Sequence, residues 1–451
     1  MSLRLERPPQ SLKPIRGHLR KPLPHSRRDR PTVAVLPFLD LRQSGGEEHL
    51  CEGLAEEVLQ ALNRVEGLWV ISRTTSFLYE GSGRSLAEVG RRLHADAVLG
   101  GALLDKGQDL TLRAELVEVE ADRVIWSSSR TFMRKDLFDT LEEFIHGVAR
   151  ALQCVPPIRP KLHIDLGAYE FYLRGRHYYY RFSRQGMAFA AQMFRRALEL
   201  DSGYASAWAG LANCAAYSYI YIERTENQRE LAESCSRRAL ELNPDLAEAH
   251  ASRGVALSAA GLTAEAEEAF ETALRLDPNL YEAAYFYARH CFAAGKPERA
   301  IEYFEWAAAL RPEDFQAILL VAQVYHSLGV EDEAERARRQ GLALVEERLQ
   351  RVPDDVRARY LGANALVALG ERDKGLAWAR MARSMDPDDP MLLYNLGCIH
   401  ALAGDPEESL DCLNRAVAAG LSQKNWFVHD GDLDSVRSHP RFQDLMTRLE
   451  D

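Results

Sequence analysis

The sequence lacks the cysteine pairs and the long apolar runs that mark secreted or membrane proteins. Its 451 residues include seven scattered cysteines without a C-x-x-C pair, which argues against a disulfide framework or a zinc site. No run of about 18 apolar residues occurs, and the first thirty residues are rich in Pro and Arg, without the apolar core of a signal peptide. We therefore predict a cytoplasmic protein without a transmembrane segment.

Motifs for nucleotide binding and catalysis are also missing. No G-x-x-x-x-G-K-[ST] loop occurs, and the lone Gly81-Ser-Gly83 follows no apolar strand, so we interpret it as a turn. Glu47, Glu48 and His49 form a polar trio at a predicted helix start, but acids in a first turn interact favourably with the helix dipole and need no catalytic role. His94 and His146 have no partner in sequence for a nucleophile or metal set. We predict that the chain is not an enzyme and needs no cofactor or metal.

The first segment, residues 1–31, is basic and Pro-rich. Residues 1–30 carry nine Lys or Arg against two acids, or +7, whereas the whole chain has a net charge of −11. Such a composition buries too little apolar area to offset its ordering entropy, so we predict disorder. Two interpretations stay open: a solvated linker, or a weak, salt-sensitive contact with nucleic acid or an anionic surface.

Residues 32–155 alternate strand and helix patterns. The apolar run at 32–38 indicates a buried strand, and Gly100-Gly101 indicates a bulge or a close backbone approach within a later strand. The last three strands have connections too short for a crossover, so they should form an antiparallel meander. The predicted order is β-α-β-α-β-β-β-α, a mixed sheet with helices packed on it.

The motifs of this domain resemble a known family. Val33-Ala-Val-Leu-Pro-Phe38, Gly53-Leu-Ala-Glu-Glu57, Ala97-Val-Leu-Gly-Gly-Ala102 and Val124-Ile-Trp126 are similar to the TolB-like domain, related to FlgO and CsgG, that precedes bacterial tetratricopeptide arrays. The resemblance implies a non-catalytic α/β module.

A unit of about 34 residues recurs in the second half of the chain. Its closing prolines stand at 244, 278, 312, 353 and 387, so the gaps are 34, 34, 41 and 34. The unit 247–278 has Gly254, Ala266, Phe270 and Ala273 at the places typical of a tetratricopeptide (TPR) hairpin. We predict an α+β protein: the sheet domain, a Pro-rich linker at 156–167, and an all-α TPR solenoid of about seven hairpins at 168–421.

Two units are longer than the others. The second has about eight extra residues around 221–228, which should lengthen its loop or the flanking helices. The fifth has seven extra residues before Pro353, about two helical turns, so its second helix should run on.

Residues 422–451 follow the array. They resemble the end-of-group segment of bacterial TPR proteins, and a helix at 440–449 with Phe442 and Leu445 should cover the last hairpin. Aromatic residues at 177–180 and at 217, 219 and 221 should form a cluster between the first two hairpins.

The first helix of each hairpin in such an array lines the concave face. The side chains expected there are amides, aromatics and arginines, which suit an extended peptide because amides can pair with its backbone. We predict a peptide-binding groove formed by Asn213, Tyr285, Arg289, Gln323, His326, Arg357, Tyr360, Asn364 and Tyr394. The alternative is that some of these residues only pack against neighbouring helices.

Two functions follow from this organisation. The first is a non-enzymatic adaptor or scaffold that binds a partner protein or peptide in bacterial signalling or assembly. The second is a regulatory component of a signalling or transcriptional system. The resemblance implies relatives with a kinase, cyclase or winged-helix domain before the TolB-like part. We expect none of these in the first thirty residues, so such an effector would be encoded separately.

Overall fold

The computed structural model describes residues 31–41, 48–63, 65, 67–71, 76, 84–106, 109–133, 136–155, 165–180, 182–312 and 314–449. The predictions for the basic segment at 1–30, the turn at 81–83 and the linker at 156–164 lie outside these residues. No helix in the described part of the chain is both long and apolar enough to span a membrane. All seven cysteines are free thiols, and six of them are buried.

The described residues of the N-terminal domain form a mixed sheet with helices. The strands are β1 (Thr32–Val35), β2 (Leu39–Asp40), β3 (Trp69–Val70), β4 (Ala97–Lys106), β5 (Asp109–Glu118) and β6 (Arg123–Met133), and the helices are α1 (Glu48–Asn63), α2 (Leu86–Leu93) and α3 (Leu137–Ala151). The order across the sheet is β3-β1-β4-β5-β6, and β2 also pairs with β4. β1 is parallel to β3 and β4, whereas β4, β5 and β6 form the predicted antiparallel meander.

The first strand is shorter than its apolar run. β1 ends at Val35, and the short β2 resumes the pairing with β4 after Pro37, which has no N–H to donate to a ladder. The prediction of one strand over 32–38 was therefore wrong at its second half.

Gly101 marks a close backbone approach and not a bulge. The pairing of β4 with β5 runs without a register shift through both glycines, and the shift lies between β5 and β6 at Leu116/Val117. A Cβ on Gly101 would lie 2.6 Å from the carbonyl oxygen of Arg113, so this position excludes any side chain.

Seven helical hairpins follow in the described residues, as predicted. Their paired helices are Leu166–Tyr179 with Arg184–Leu200, Ala205–Tyr221 with Glu226–Leu242, Ala247–Ala259 with Thr263–Leu276, Tyr281–Ala293 with Pro297–Leu310, Phe315–Ser327 with Glu331–Arg351, Val356–Ala368 with Arg372–Met385, and Pro390–Leu402 with Pro406–Ala418. The extra residues lengthen both helices of the second hairpin and the second helix of the fifth, which has 21 residues. Both predictions about the long units are confirmed.

Small residues bring the two helices of a hairpin together. Ala266 and Ala273 are fully buried, and a Cβ on Gly254 would lie 2.8 Å from the ring of Phe270. This is the packing that the repeat predicted, because the aromatic ring fills the space that the small residues leave.

The chain closes on itself at two places. Leu173 of the first hairpin packs where a Cβ on Gly53 of α1 would lie, so sheet domain and array share one hydrophobic core. At the other end, Gly420, just after the seventh hairpin, has φ +111° and lies against the backbone of Ile222 in the second hairpin. The solenoid therefore bends far enough for its last hairpin to meet its second.

The C-terminal part consists of a helix at Lys424–His429, a 3-10 turn at Gly431–Leu433 and a helix at Pro440–Arg448. The last helix covers the seventh hairpin, as predicted. Phe442 and Leu445 are buried, and Arg441 contacts Glu407 at 2.6 Å.

We expect Gly101→Ala to lower the free energy of unfolding of the sheet domain by about 1–3 kcal/mol, because the new methyl group meets a backbone carbonyl. Gly100→Ala is the matched control, because its methyl group would meet only the flexible side chain of Leu86. Denaturant unfolding followed by Trp fluorescence measures both variants, and equal losses would contradict the explanation.

Candidate functional site

The predicted groove residues lie on the inner face of the array, and most of them are covered by the chain itself. Asn213, Gln323 and His326 are half-buried. The other six, Tyr285, Arg289, Arg357, Tyr360, Asn364 and Tyr394, are less than 10 % exposed. Whether these nine residues bind a partner stays a prediction.

The loop of the first hairpin fills the middle of this face. The ring of Phe182 lies 5.7 Å from that of Tyr217 and 6.4 Å from that of Tyr285, and the guanidinium of Arg357 lies 5.4 Å from its centre. Tyr217 also donates a hydrogen bond from its hydroxyl to the carbonyl of Phe182 at 3.1 Å. The predicted aromatic cluster is present, and it extends to Tyr285 of the fourth hairpin and contacts Arg357 of the sixth.

Residues 424–436, which we call the inner segment, fill the face of the later hairpins. Its Trp426 lies 4.9 Å from the guanidinium of Arg289, which also stacks on Tyr221 at 4.4 Å. Arg289 is thus held between two aromatic rings. A charge reversal at such a residue would bury a carboxylate among these rings, so it would test folding rather than binding.

Two buried aspartates fix the inner segment to the array. Tyr394 donates from its hydroxyl to Asp430 at 2.8 Å, and Asn364 donates from its amide to Asp432 at 2.7 Å. Gln323 donates to the same oxygen of Asp432 at 3.4 Å. The donors predicted to hold a peptide therefore hold the chain's own carboxylates, which sequence reasoning missed. The D-x-D spacing beside a face rich in donors was the available signal.

Cys398 joins this pair, and the ligand atoms of the three side chains lie within 4.8 Å of one another, close enough to hold a metal ion. The oxygens of Asp430 already accept hydrogen bonds from Tyr394 and from the backbone N–H of Asp432. Burial raises the pKa of the Cys398 thiol, which donates to Asp430 at 3.5 Å. The three side chains form a hydrogen-bonded network in which Oδ1 of Asp432 is buried and accepts no hydrogen bond from the described residues.

Asp430 and Asp432 are the two carboxyls of this network, and burial raises the pKa of both. Burial, followed by the charge of Asp430, raises the pKa of Asp432 to about 7, while the hydrogen bond from Asn364 and the charges of His326 and Arg338 act in the opposite direction. Its carboxyl should therefore be partly protonated near neutral pH.

A groove of about 1930 Å³ remains open beside α1. It is bounded by α1, the segment 65–70 and the first four hairpins, and Asn213 lines it. Of the nine predicted groove residues, Asn213 alone is among those that line this opening.

A chain of charged and hydroxyl groups forms the inner wall of the open groove. Arg176 donates to Glu56 of α1 at 2.6 Å and to the hydroxyl of Tyr180 at 2.8 Å. Tyr180 donates in turn to Glu282 at 2.8 Å, which Arg311 contacts at 2.9 Å. Burial acts to raise the pKa of Glu282, but Arg311 and Arg176 together hold it below its usual value. Sheet domain, first hairpin and fourth hairpin are thus joined.

The groove has an excess of carboxylates. Eight acidic side chains and four arginines line it, and three arginines are paired with Glu56, Glu271 and Glu282. Among the described lining residues, Glu268, Asp277, Glu302 and Glu305 lie outside the printed ion pairs beside one further arginine, and Glu268 and Glu302 are exposed. Trp306 and Tyr303 add aromatic surface. This chemistry favours a cationic ligand.

Family profiles match three parts of the chain. The profile described as HilA/YgeH-like transcriptional regulator, second domain, matches residues 29–147, so the TolB-like resemblance is not confirmed. A tetratricopeptide repeat profile matches residues 223–281 and 360–423, and that of anaphase-promoting complex subunit 3 matches residues 259–341. The helical part is a TPR-type solenoid.

Individual relatives are distant. A Rhizobium meliloti (strain 1021) protein named "Putative adenylate cyclase 3" is 26 % identical over 248 residues, 53 % of this chain and 42 % of that protein. The APC/C hetero-tetramer Cut9-Hcn1 aligns with a TM-score of 0.44 and 14 % identity, over 62 % of this chain and 55 % of that one. The human IFIT1 dimer with m7Gppp-AAAA aligns with a TM-score of 0.45 and 14 % identity, over 69 % of this chain and 75 % of that one. This chain thus spans about half of the first two.

We expect Asp432→Asn to stabilise the protein more at pH 8 than at pH 5. A carboxyl whose folded pKa is raised favours folding less as pH rises from its unfolded value, 3.8, through about 7, and the neutral amide avoids this loss. The gain at pH 8 should exceed the gain at pH 5 by about 2–3 kcal/mol.

Thermal unfolding at both pH values measures this effect. Asp444→Asn, at an exposed residue of the C-terminal helix, is the control and should show no such pH dependence. A gain that is the same at pH 5 and pH 8 would contradict the assignment to Asp432 ionisation.

Proposed function

We propose that the chain is a non-enzymatic adaptor of the cytoplasm whose open groove binds a basic, extended segment of a partner protein. The observation that carries the proposal is the carboxylate excess of a groove large enough for several residues of a peptide. A TPR array is a binding scaffold in general, and the open groove gives this one a ligand chemistry.

The position of the groove supports this proposal over a site on the later hairpins. The inner segment and the Phe182 loop already contact the residues that line the array there. Beside α1 the face is open, and the buried ion pair of Glu56 with Arg176 holds its wall in place. Because the wall is already ordered, binding of a peptide costs less conformational entropy.

Exposed acids give the groove its selectivity. Glu268 and Glu302 lie on the second helices of the third and fourth hairpins, and neither is in an ion pair within the described part of the chain. Lysine or arginine side chains of a partner would gain attraction from both, and an acidic segment would be repelled. An arginine could also stack on Trp306.

The test is a selection of random peptides on the full chain, followed by measurement of Kd by fluorescence anisotropy. Selected peptides should be rich in Lys and Arg. Glu268→Lys with Glu302→Lys should weaken their binding about tenfold or more, because each reversal replaces an attraction by a repulsion.

The matched control is Glu265→Lys with Glu298→Lys, which changes exposed acids on the first turns of the same two helices outside the groove lining. This variant should bind almost as the parent does. Neutral or acidic selected peptides, or equal losses in both variants, would contradict the proposal.

A second candidate is a regulatory component of a signalling or transcriptional system with a separately encoded effector. Two comparisons favour it: the match of residues 29–147 to a domain of transcriptional regulators, and the relative named as an adenylate cyclase. Cross-linking in the source cells, followed by mass spectrometry, should then identify a partner with a kinase, cyclase or winged-helix domain. Partners without such domains would favour the general adaptor.

A further inference from the structure

We propose that the basic segment at residues 1–30 docks in the open groove of its own molecule. This inference rests on the groove of the proposed function, but it requires no partner protein. The segment would act as a built-in competitor of the partner's basic peptide.

The segment leaves the sheet at the edge of the groove. The carbonyl of Pro31 accepts a hydrogen bond from the backbone N–H of Trp69 at 3.0 Å, and Asp96 fixes the next residue, Thr32, at 2.7 Å. Trp69 lines the groove together with its neighbours Leu68 and Val70. The residue that precedes β1 is therefore one hydrogen bond from the groove lining.

Charge favours the groove as the binding site of the segment. Residues 1–30 carry +7, with seven arginines and two lysines, Lys13 and Lys21. Among its described residues the groove offers four carboxylates outside its ion pairs, Glu268, Asp277, Glu302 and Glu305, against Arg275 as the one further cation. Attraction between the two should be strong at low salt and weaken when salt screens it.

Because the segment is covalently attached beside the groove, weak contacts are sufficient for it to dock there. Thirty residues reach at most about 100 Å when extended, and an end-to-end distance of roughly 30 Å is typical of a flexible chain of this length. A short flexible tether gives an effective concentration on the order of 1 mM. An intrinsic Kd of about 0.1 mM would then leave the segment docked in about nine molecules of ten.

Docking of the segment would set the affinity for a partner. A partner peptide binds only to the molecules whose groove is open, so at this occupancy its apparent Kd would rise about tenfold. Any event that neutralises the segment, or binds it elsewhere, would restore the affinity.

Zero-length carbodiimide cross-linking of the full chain at low salt tests the contact, because it joins Lys13 or Lys21 only to carboxylates that touch them. Mass spectrometry should find these lysines joined to Glu268 or Glu302. Glu268→Gln with Glu302→Gln should remove these links and reduce those to the other groove acids, whereas the control Glu265→Gln with Glu298→Gln should keep all of them.

Three outcomes would overturn the proposal. Links spread evenly over exposed acids outside the groove would show only a general attraction. Links between molecules, identified in a mixture of isotope-labelled and unlabelled protein, would show an intermolecular contact. Links unchanged by the groove variant would place the segment elsewhere, and anionic vesicles or DNA would then be tested as its ligand.

Replacement of the seven arginines by Gln in the full chain separates this inference from the proposed function. If both hold, the selected peptides should bind this variant about tenfold more tightly. If no peptide binds but the intramolecular links are found, the proposed partner is wrong and the docking stands. If peptides bind both forms equally, the docking is wrong and the adaptor stands.

Discussion

The largely buried guanidinium of Arg176 joins the sheet domain to the array. It holds Glu56 of α1 and the hydroxyl of Tyr180, and Tyr180 holds Glu282 of the fourth hairpin. A buried charge that loses one partner costs several kcal/mol, so the three elements must keep their positions relative to one another. The open groove, its wall and the edge where residue 31 enters the sheet all depend on this fixed arrangement.

The cost of leaving buried polar groups unpaired also explains why the inner segment covers the opposite end of the inner face. A face that displays tyrosine hydroxyls and amides needs acceptors if it is to be buried, and the inner segment supplies them as Asp430 and Asp432. Because two carboxylates are placed close together away from water, Asp432 is easier to protonate. The array thus uses one part of its inner face for its own stability and leaves the other part open.

Local pattern predicted the elements, whereas contacts between distant residues decided the site. The 34-residue period fixed the hairpins and the packing of Phe270 on Gly254, because both depend on neighbours within one unit. The period could not show that Phe182 would enter the inner face, or that Asp432 would meet Asn364, 68 residues away. These contacts depend on how tightly the solenoid coils, a property that many small packing angles set together. Local sequence also decided one detail that the apolar pattern missed: Pro37 lies between two short strands where the apolar run predicted a single strand.

The contact of Gly420 with Ile222 changes how this solenoid should respond to thermal fluctuation. In an open repeat protein the terminal repeats fray first, because each has one neighbour and local unfolding spreads inwards. Here the segment after the last hairpin packs against the second hairpin, so the last hairpin has a second neighbour. The array should therefore unfold as one cooperative unit, and a partner would bind to a rigid surface rather than to a flexible one.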